Sequence, residues 1–231
     1  MNLIDKIYTK RPFYGYRKIQ WELKTKEGKD VNLKRVYRLM REMGIAGIVP
    51  QKNLSAPGKE GWVMPYLLKK IRIERPNQVW AVDITYIRLL DGFCYLVAVM
   101  DWYSRFVLSW RLSNTLDGGF CMACLEKAVE IAQGVPNVLN SDQGSQFTSR
   151  EWVETLTLWG TQVSHDGAGR AIHNVMIERV WRSLKYENVY LKGYSTMEQA
   201  RRGIDEYFEF YNYDRPHQTL DNEIPATLYL K

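Results

Sequence analysis

The chain has 231 residues and 45% hydrophobic content, enough for one large or two modest domains around a buried core. No apolar stretch approaches the ~20 residues of a membrane helix, the start Met1-Asn2-Leu3-Ile4-Asp5-Lys6 lacks a signal peptide's apolar region, and Cys94, Cys121 and Cys124 make no even disulfide framework, so a cytoplasmic protein without a membrane partner is expected. The net charge of +6 is uneven: residues 1–75 hold 18 Lys/Arg against 7 Asp/Glu and residues 76–231 hold 14 against 19, which marks the first third as a polyanion-binding module.

Residues 11–27 read as a helix with Tyr14, Ile19 and Leu23 on its apolar side. Gly28 breaks it, and Asn32 is an N-cap for a second helix over 33–43. That helix sets Leu33, Val36, Tyr37 and Met40 on one face and Lys34, Arg35, Arg38 and Arg41 on the other, with Gly44 as the stop. Two short helices with a Gly-containing turn make a helix-turn-helix-like, DNA-binding segment over 1–50. A Pro- and Gly-rich linker follows over 51–75.

From residue 76 the pattern changes. Strands are expected over 79–89, from Phe93 to Asp101 and from Arg105 to Leu112, the last two joined by a tight turn at Trp102-Tyr103-Ser104. A helix over 116–132 points Phe120, Cys124, Ala128 and Ile131 inward. The Cys121-Met-Ala-Cys124 pair within it has no second pair to complete a structural zinc site. A strand at 136–140, a helix at 149–159, a strand at 161–164 and a helix at 174–189 follow. Ser195-Thr-Met-Glu198 is a capping box for a last helix to about Tyr211, whose packing face is Ala200, Ile204, Tyr207, Phe208 and Tyr211. This order predicts an α/β fold with a mixed sheet flanked by helices.

Three carboxylates stand out. Asp83 interrupts the apolar run from Val79 to Ile87, where an unpaired charge costs several kcal/mol and calls for a cation or a strong partner. Asp142 opens the turn Ser141-Asp142-Gln143-Gly144-Ser145, where Asp also serves turn geometry. Glu178 follows after 35 intervening residues, on a helix whose packing stripe is Ile177, Val180, Trp181 and Leu184. Arg182 and Lys185 share the face of Glu178, so that a carboxylate and two bases can meet metal and phosphate together. Carboxylates from a strand, a strand end and a helix can converge on a pair of Mg²⁺ ions. Gln143, Gly144 and Gln146 either shape a backbone approach to phosphate or form a plain turn. Asp166-Gly-Ala-Gly-Arg170 reads as a mobile loop. Trp80 and Trp181 read as core residues, and His217 as part of a terminal turn.

The segments WAVDITYI (80–87), YLVAVMDWYSRFVLSWRLS (95–113), SDQGSQFTS (141–149) and HNVMIERVWRSLKYE (173–187), with YGYRKI (14–19) and FYNYDRPHQTL (210–220), resemble bacterial insertion-sequence transposases of the integrase-like DDE family, in particular the product of the second of two overlapping reading frames. The resemblance runs from Arg11 to Tyr229. It implies a ribonuclease H-like fold with an integrase catalytic core over 76–190, and a C-terminal helix and tail over 191–231 packing on that core. It also implies a metal-binding catalytic triad at Asp83, Asp142 and Glu178 carrying two Mg²⁺ (or Mn²⁺) ions, and a DNA contact at Lys185. The implied activity is cleavage at element ends and strand transfer into target DNA during recombination. Expected partners are element-end and target DNA, further copies of the chain on that DNA, and an upstream-frame product joined by fusion, all in the cytoplasm on the nucleoid. Two other readings are a catalytically inactive DNA-binding remnant or regulator, and a ribonuclease H-like nuclease. In one place the chain departs from the family: Asp-Asn usually precedes the Glu helix, and here the pair is His173-Asn174. Histidine is the poorer N-cap by ~1 kcal/mol, and the change removes a negative charge near the site.

Overall fold

Eleven residues from Val79 to Leu89, rich in β-branched and aromatic side chains, form the strand β1 on which the rest is built. The computed structural model describes residues 1–47, 62–167 and 174–231. The first part of the expected linker, residues 168–170 of the expected loop, and His173 lie outside these. The chain divides into two units, Met1–Ala56 and Pro57–Lys231.

The first unit holds three helices, α1 (Asn2–Lys10), α2 (Tyr16–Thr25) and α3 (Leu33–Glu42). Helix α2 starts later than the periodicity predicts, with Gly15 as its N-cap, and α1 was not expected at all. Ile4, Ile7, Ile19, Leu23, Val36 and Met40 form the core of the unit. Asn32 caps α3 by accepting from the Lys34 N–H at 2.9 Å. The packing face of α3 is rotated from the expected one. Val36 and Met40 are buried, whereas Leu33 and Tyr37 are exposed, and Tyr37 instead packs edge-on against Tyr16. Lys34, Arg35, Arg38 and Arg41 are all exposed. Glu22 is buried between Arg11 and Lys26, each donating to its Oε1 at 2.6 Å.

In the second unit β1 is joined by β2 (Gly92–Asp101), β3 (Val107–Ser113), β4 (Val138–Ser141) and β5 (Gln162–His165) in one sheet of order β3-β2-β1-β4-β5. The first three strands are antiparallel, while β4 lies parallel to β1 and β5 parallel to β4. Asp101 makes the β2–β3 turn. Its Oδ1 accepts from the Ser104 N–H and hydroxyl, its Oδ2 from the Asn77 N–H. Arg105 then takes a left-handed φ of 65°, so β3 begins two residues later than expected.

Helices cover both faces of the sheet. On one side lie α4 (Gly118–Ala132) and α5 (Arg150–Leu158), capped by Asp117 and Ser149. The inward stripe of α4 is Cys121, Cys124, Leu125 and Ala128, and Ile131 is exposed. Burial pushes both thiols up to about 12, so they serve as small apolar groups. On the other side lie α6 (Val175–Leu184) and α8 (Met197–Tyr213). Between them come a π-helical turn over Lys185–Val189 and the short helix α7 (Tyr190–Lys192). A last helix, α9, spans Pro225–Tyr229. The cap of α8 is Thr196, which accepts from the Gln199 N–H, while the Gln199 side chain accepts from the Ser195 N–H; the expected box is shifted by one residue. Residues 62–73, expected as the end of the linker, are tied to the core. The Met64 N–H donates to His165 Nδ1 at 2.8 Å and the Leu67 N–H to Ser164 Oγ at 3.1 Å.

Gly203 is required by the packing of α8. A Cβ there would collide with the Tyr194 hydroxyl and the ring carbons beside it; that hydroxyl donates to Asn188, and the Asn188 amide in turn donates to the Gly203 carbonyl at 3.0 Å. Gly203→Ala is therefore expected to destabilise the protein by ~1–3 kcal/mol through overpacking, despite alanine's better helix propensity. Chemical denaturation would measure it, and unchanged or increased stability would show that the ring can yield.

Candidate active site

Strand register brings the first two predicted carboxylates to one level. Ala81 lies opposite Asn140 where β1 and β4 run parallel, so two residues on, where β4 has ended and β1 continues, Asp83 and Asp142 come to one level on neighbouring strands, whose spacing is ~4.8 Å. The next pairing repeats the pattern. Ser141 faces His165 on β5, which sets Asp166 beside Asp142. Ligands of open α/β sheets bind in this position, beyond the carboxyl ends of the strands.

Helix α6 supplies the third group. Its stripe of Ile177, Val180, Trp181 and Leu184 is buried against the sheet. Trp181 also reaches the site, where its Nε1–H donates to Asp83 Oδ2 at 2.8 Å. Glu178, one turn earlier, is exposed, as is Asp142, while Asp83 is half-buried. The helix starts at Val175 with Asn174 in the N-cap position, making no side-chain cap bond.

The electrostatics tie the group together. The Asp83 carboxyl is pushed up to about 7, chiefly by burial; the Trp181 hydrogen bond opposes this, and the charges of Asp142 and Glu178 add to it. The Asp166 carboxyl is pushed up to about 6, again by burial first, with the same two neighbours adding. Asp83 and Asp166 thus each sense the charges of Asp142 and Glu178 around a single patch. Two positive or polar groups border it. Lys185 donates from Nζ to Thr85 Oγ1 at 2.8 Å, two residues along β1 from Asp83, and feels the Asp83 charge. Gly144 donates its N–H to Asp142 Oδ1 at 2.9 Å, and a Cβ on Gly144 would crowd that oxygen and Gln146 Oε1 at 2.9 and 3.2 Å.

The predicted residues fall in different places. Asp83, Asp142, Glu178 and Lys185 are brought together. Arg182 is exposed one turn along α6, with its guanidinium 5.9 Å from the Tyr186 ring centroid. Lys34, Arg35, Arg38 and Arg41 belong to the other unit. Asp166 was missed, because its Gly-rich surroundings read as a loop. It is 8% exposed and anchored from both sides. Asn140 Nδ2 donates to its Oδ1 at 3.0 Å and Gln143 Nε2 to its backbone carbonyl at 2.6 Å. Trp181 was read only as core. Among the described residues no three His, Cys, Asp or Glu side chains are drawn together closely enough, as they stand, to hold a metal. The donor set nevertheless fits a hard cation, because its oxygens are carboxylates, and the burial of Asp83 with like charges beside it leaves it in need of positive charge.

Comparison with known proteins identifies the family. Models of an integrase core domain match residues 73–171 and 159–225, and a model of an HTH-like domain matches residues 1–53. The transposase for insertion sequence element IS904 of Lactococcus lactis is 31% identical, covering 84% of this chain and 79% of that protein. The transposase for insertion sequence element IS629 of Shigella sonnei is 27% identical over 96% of this chain and 76% of that protein. Among solved structures, the HTLV-2 integrase catalytic core domain in complex with magnesium superposes with a TM-score of 0.53 at 18% identity, covering 67% of this chain and 97% of that one. A simian T-cell lymphotropic virus intasome chain gives 0.59 at 14% identity, covering 97% and 73%. These last two establish the ribonuclease H-like integrase fold. The chain belongs to the bacterial insertion-sequence transposases built on an integrase core, and its function is that of a DNA transposase.

Proposed function

We propose that Asp83, Asp142 and Glu178 are the catalytic, metal-holding triad of a polynucleotidyl transferase that cleaves element ends and joins them to target DNA. The observation that carries this is the approach of the three carboxylates, from β1, the end of β4 and helix α6, to one patch, where the charges of Asp142 and Glu178 add to the raised proton affinity of Asp83. Two Mg²⁺ (or Mn²⁺) ions held there would supply activation of the attacking water or DNA 3′-hydroxyl and stabilisation of the leaving oxygen. The chain's own part is orientation. Trp181 fixes one Asp83 oxygen and so ties α6 to β1, and Gly144 fixes one oxygen of Asp142. Lys185 stands beside the carboxylates, where a DNA phosphate approaches. Asp142 and Glu178, both exposed, would hold the ions together with Asp83. No covalent link between protein and DNA is involved.

A strand-transfer assay with a pre-cut element end and Mg²⁺ separates this reading from its rivals. Joined product is expected. Cleavage of an RNA–DNA hybrid without joining would favour a ribonuclease H-like nuclease, and DNA binding with no chemistry would favour an inactive regulator.

DNA binding is assigned to Lys34, Arg35, Arg38 and Arg41 on α3, together with Arg182 and Lys185 on the core. The chain acts on DNA in the cytoplasm, on the nucleoid, as a homo-oligomer, and fusion to an upstream-frame product adds a second DNA-binding module. No described helix is long and apolar enough to cross a membrane. If the four α3 bases neutralise phosphates, changing all four to Gln reduces the slope of log K against log salt by roughly 3 to 4. Phosphate contacts position a protein without reading bases. The chain alone is therefore expected to prefer terminal repeats over random DNA by less than about tenfold, ~1.4 kcal/mol. Anisotropy titrations over a salt series check both values. Tight, repeat-specific binding with an unchanged slope would contradict the assignment.

A further inference from the structure

Beyond the triad, the α6 region borders a cavity of about 460 Å³ that the proposed reaction does not use. Four arginines line it, Arg105, Arg179, Arg182 and Arg215, against one carboxylate, Glu187. Glu187 is committed to Arg215, which donates to both its oxygens at 2.8 and 2.6 Å, and to the Tyr207 hydroxyl at 2.8 Å. Asp101 also acts on Arg105, but its oxygens are engaged by Asn77 and Ser104. Counting both Glu187 and Asp101, two guanidinium charges remain in excess around the cavity.

Two buried atoms of the lining have no hydrogen-bond partner among the described residues, Arg105 Nη1 and His217 Nε2. His217 is 9% exposed and packs edge-on against Tyr211 with ring centroids 4.6 Å apart. A buried charged donor left bare is costly. Arg105 is moreover held at a φ of 65°, a conformation unfavourable for a residue with a side chain. Bare polar atoms and uncompensated charge coincide at one cavity, and an anion with several acceptor oxygens balances the charge and accepts from Arg105 Nη1. The planar guanidinium fork matches phosphate in particular.

We propose that this cavity binds a backbone phosphate of the DNA strand, a few nucleotides from the bond that reacts. The distance follows from α6 itself. Arg179 and Arg182 come one and four residues after Glu178, within about one 5.4 Å helical turn, while phosphates of one strand recur every ~3.4 Å along the duplex axis. The inference rests on the reading of Glu178 as part of a DNA-processing site, and makes the cavity the grip that sets the strand's register on the carboxylates.

The test uses the full chain and a set of duplexes, each with a single neutral methylphosphonate in place of one phosphate. Affinity is titrated by fluorescence anisotropy with Ca²⁺, and strand transfer with Mg²⁺ is measured on the same preparations. Wild type is expected to lose roughly five- to tenfold in affinity at one or two adjacent positions. Arg179→Gln, an exposed position, should bind the unmodified duplex weaker by a similar factor and lose the discrimination at those positions; Arg105→Gln is the second variant and should do the same. Equal methylphosphonate sensitivity at every position in wild type and Arg179→Gln overturns the proposal. So does a melting temperature raised by inorganic phosphate in wild type alone with no positional effect on the duplex, since the cavity would then take free phosphate only. Strand transfer without the positional signature sinks the cavity and spares the triad; the signature without strand transfer does the reverse.

Discussion

Asp83→Asn, Asp142→Asn and Glu178→Gln are each expected to lower Mg²⁺-dependent strand transfer by at least ~10³-fold while leaving the fold intact. Each substitution keeps the side chain's size and removes one charged oxygen ligand. A loss of ~4 kcal/mol of transition-state stabilisation is enough for that factor. Because ligands of one metal cluster act as a unit, a double variant should be little worse than a single one. Single-turnover joining of a pre-cut end, with circular dichroism to verify folding, measures both. Asp166→Asn provides a graded comparison. Asp166 is buried at the margin of the patch and anchored by Asn140 and Gln143, so it should cost activity through positioning, and less than any triad variant. Near-wild-type activity in Asp142→Asn would remove that residue from the site.

The same carboxylates should make the metal-free protein sensitive to pH. The Asp83 carboxyl is pushed up to about 7 by burial, with its acidic neighbours contributing, whereas in the unfolded chain an Asp titrates near ~3.9. Between those values the folded chain holds a proton that the unfolded chain has lost. Stability therefore falls as pH rises from about 4 to about 7, and the penalty is fully present above that window. Asp166, pushed up to about 6, acts in the same direction. Asp83→Asn should raise the melting temperature of metal-free protein at about pH 8 by several degrees, change it little near pH 4, and flatten the profile between. Mg²⁺ should stabilise wild type more at about pH 8 than at pH 5, because protons and cations compete for the same oxygens. The variant most damaging to activity is thus expected to be more stable than wild type, a separation that a merely structural Asp83 would not produce. Identical melting curves for wild type and Asp83→Asn at about pH 8 would contradict the account.

The parts of the site that could be read from sequence are those where a local pattern is broken by a misplaced charge. Asp83 is the clearest, a carboxylate within an otherwise apolar strand. The stripe of α6 likewise separated the core residues from Glu178 and Lys185 by spacing alone. Asp142 and Glu178 taken singly resemble an ordinary turn residue and a solvated helix residue, and the family resemblance is what set them beside Asp83.

What escaped is long-range. Asp166 earns its place from strand register and from hydrogen bonds of Asn140 and Gln143, across more than twenty positions of chain. Trp181's bond to Asp83 spans 98 positions. The π-helical turn at Lys185–Val189 was expected as plain helix, since helical periodicity does not register one extra residue. Its side chains instead follow tertiary partners, Asn188 to Gly203 and Glu187 to Tyr207 and Arg215. In α4 and α3 the predicted stripes were turned by about one residue, because a short amphipathic helix with Cys, Tyr and Met at its margins offers two nearly equal faces. Residues 62–73 look like linker by composition, and long-range ties make them part of the core: their bonds to Ser164 and His165 and the packing of Leu68 on Val79 and Val138.

The most direct measurement is localisation of the metal on the polypeptide. Fe²⁺ substituted for Mg²⁺, with ascorbate and peroxide, generates hydroxyl radicals that cut the chain beside the bound ion, and mass spectrometry maps the cuts. Cleavage is expected to be confined to three segments distant in sequence, around Asp83, Asp142 and Glu178, suppressed by excess Mg²⁺ and lost together in Asp83→Asn. Cleavage at a single one of these segments, or elsewhere in the chain, or a pattern unchanged by Asp83→Asn, would contradict the metal-holding triad.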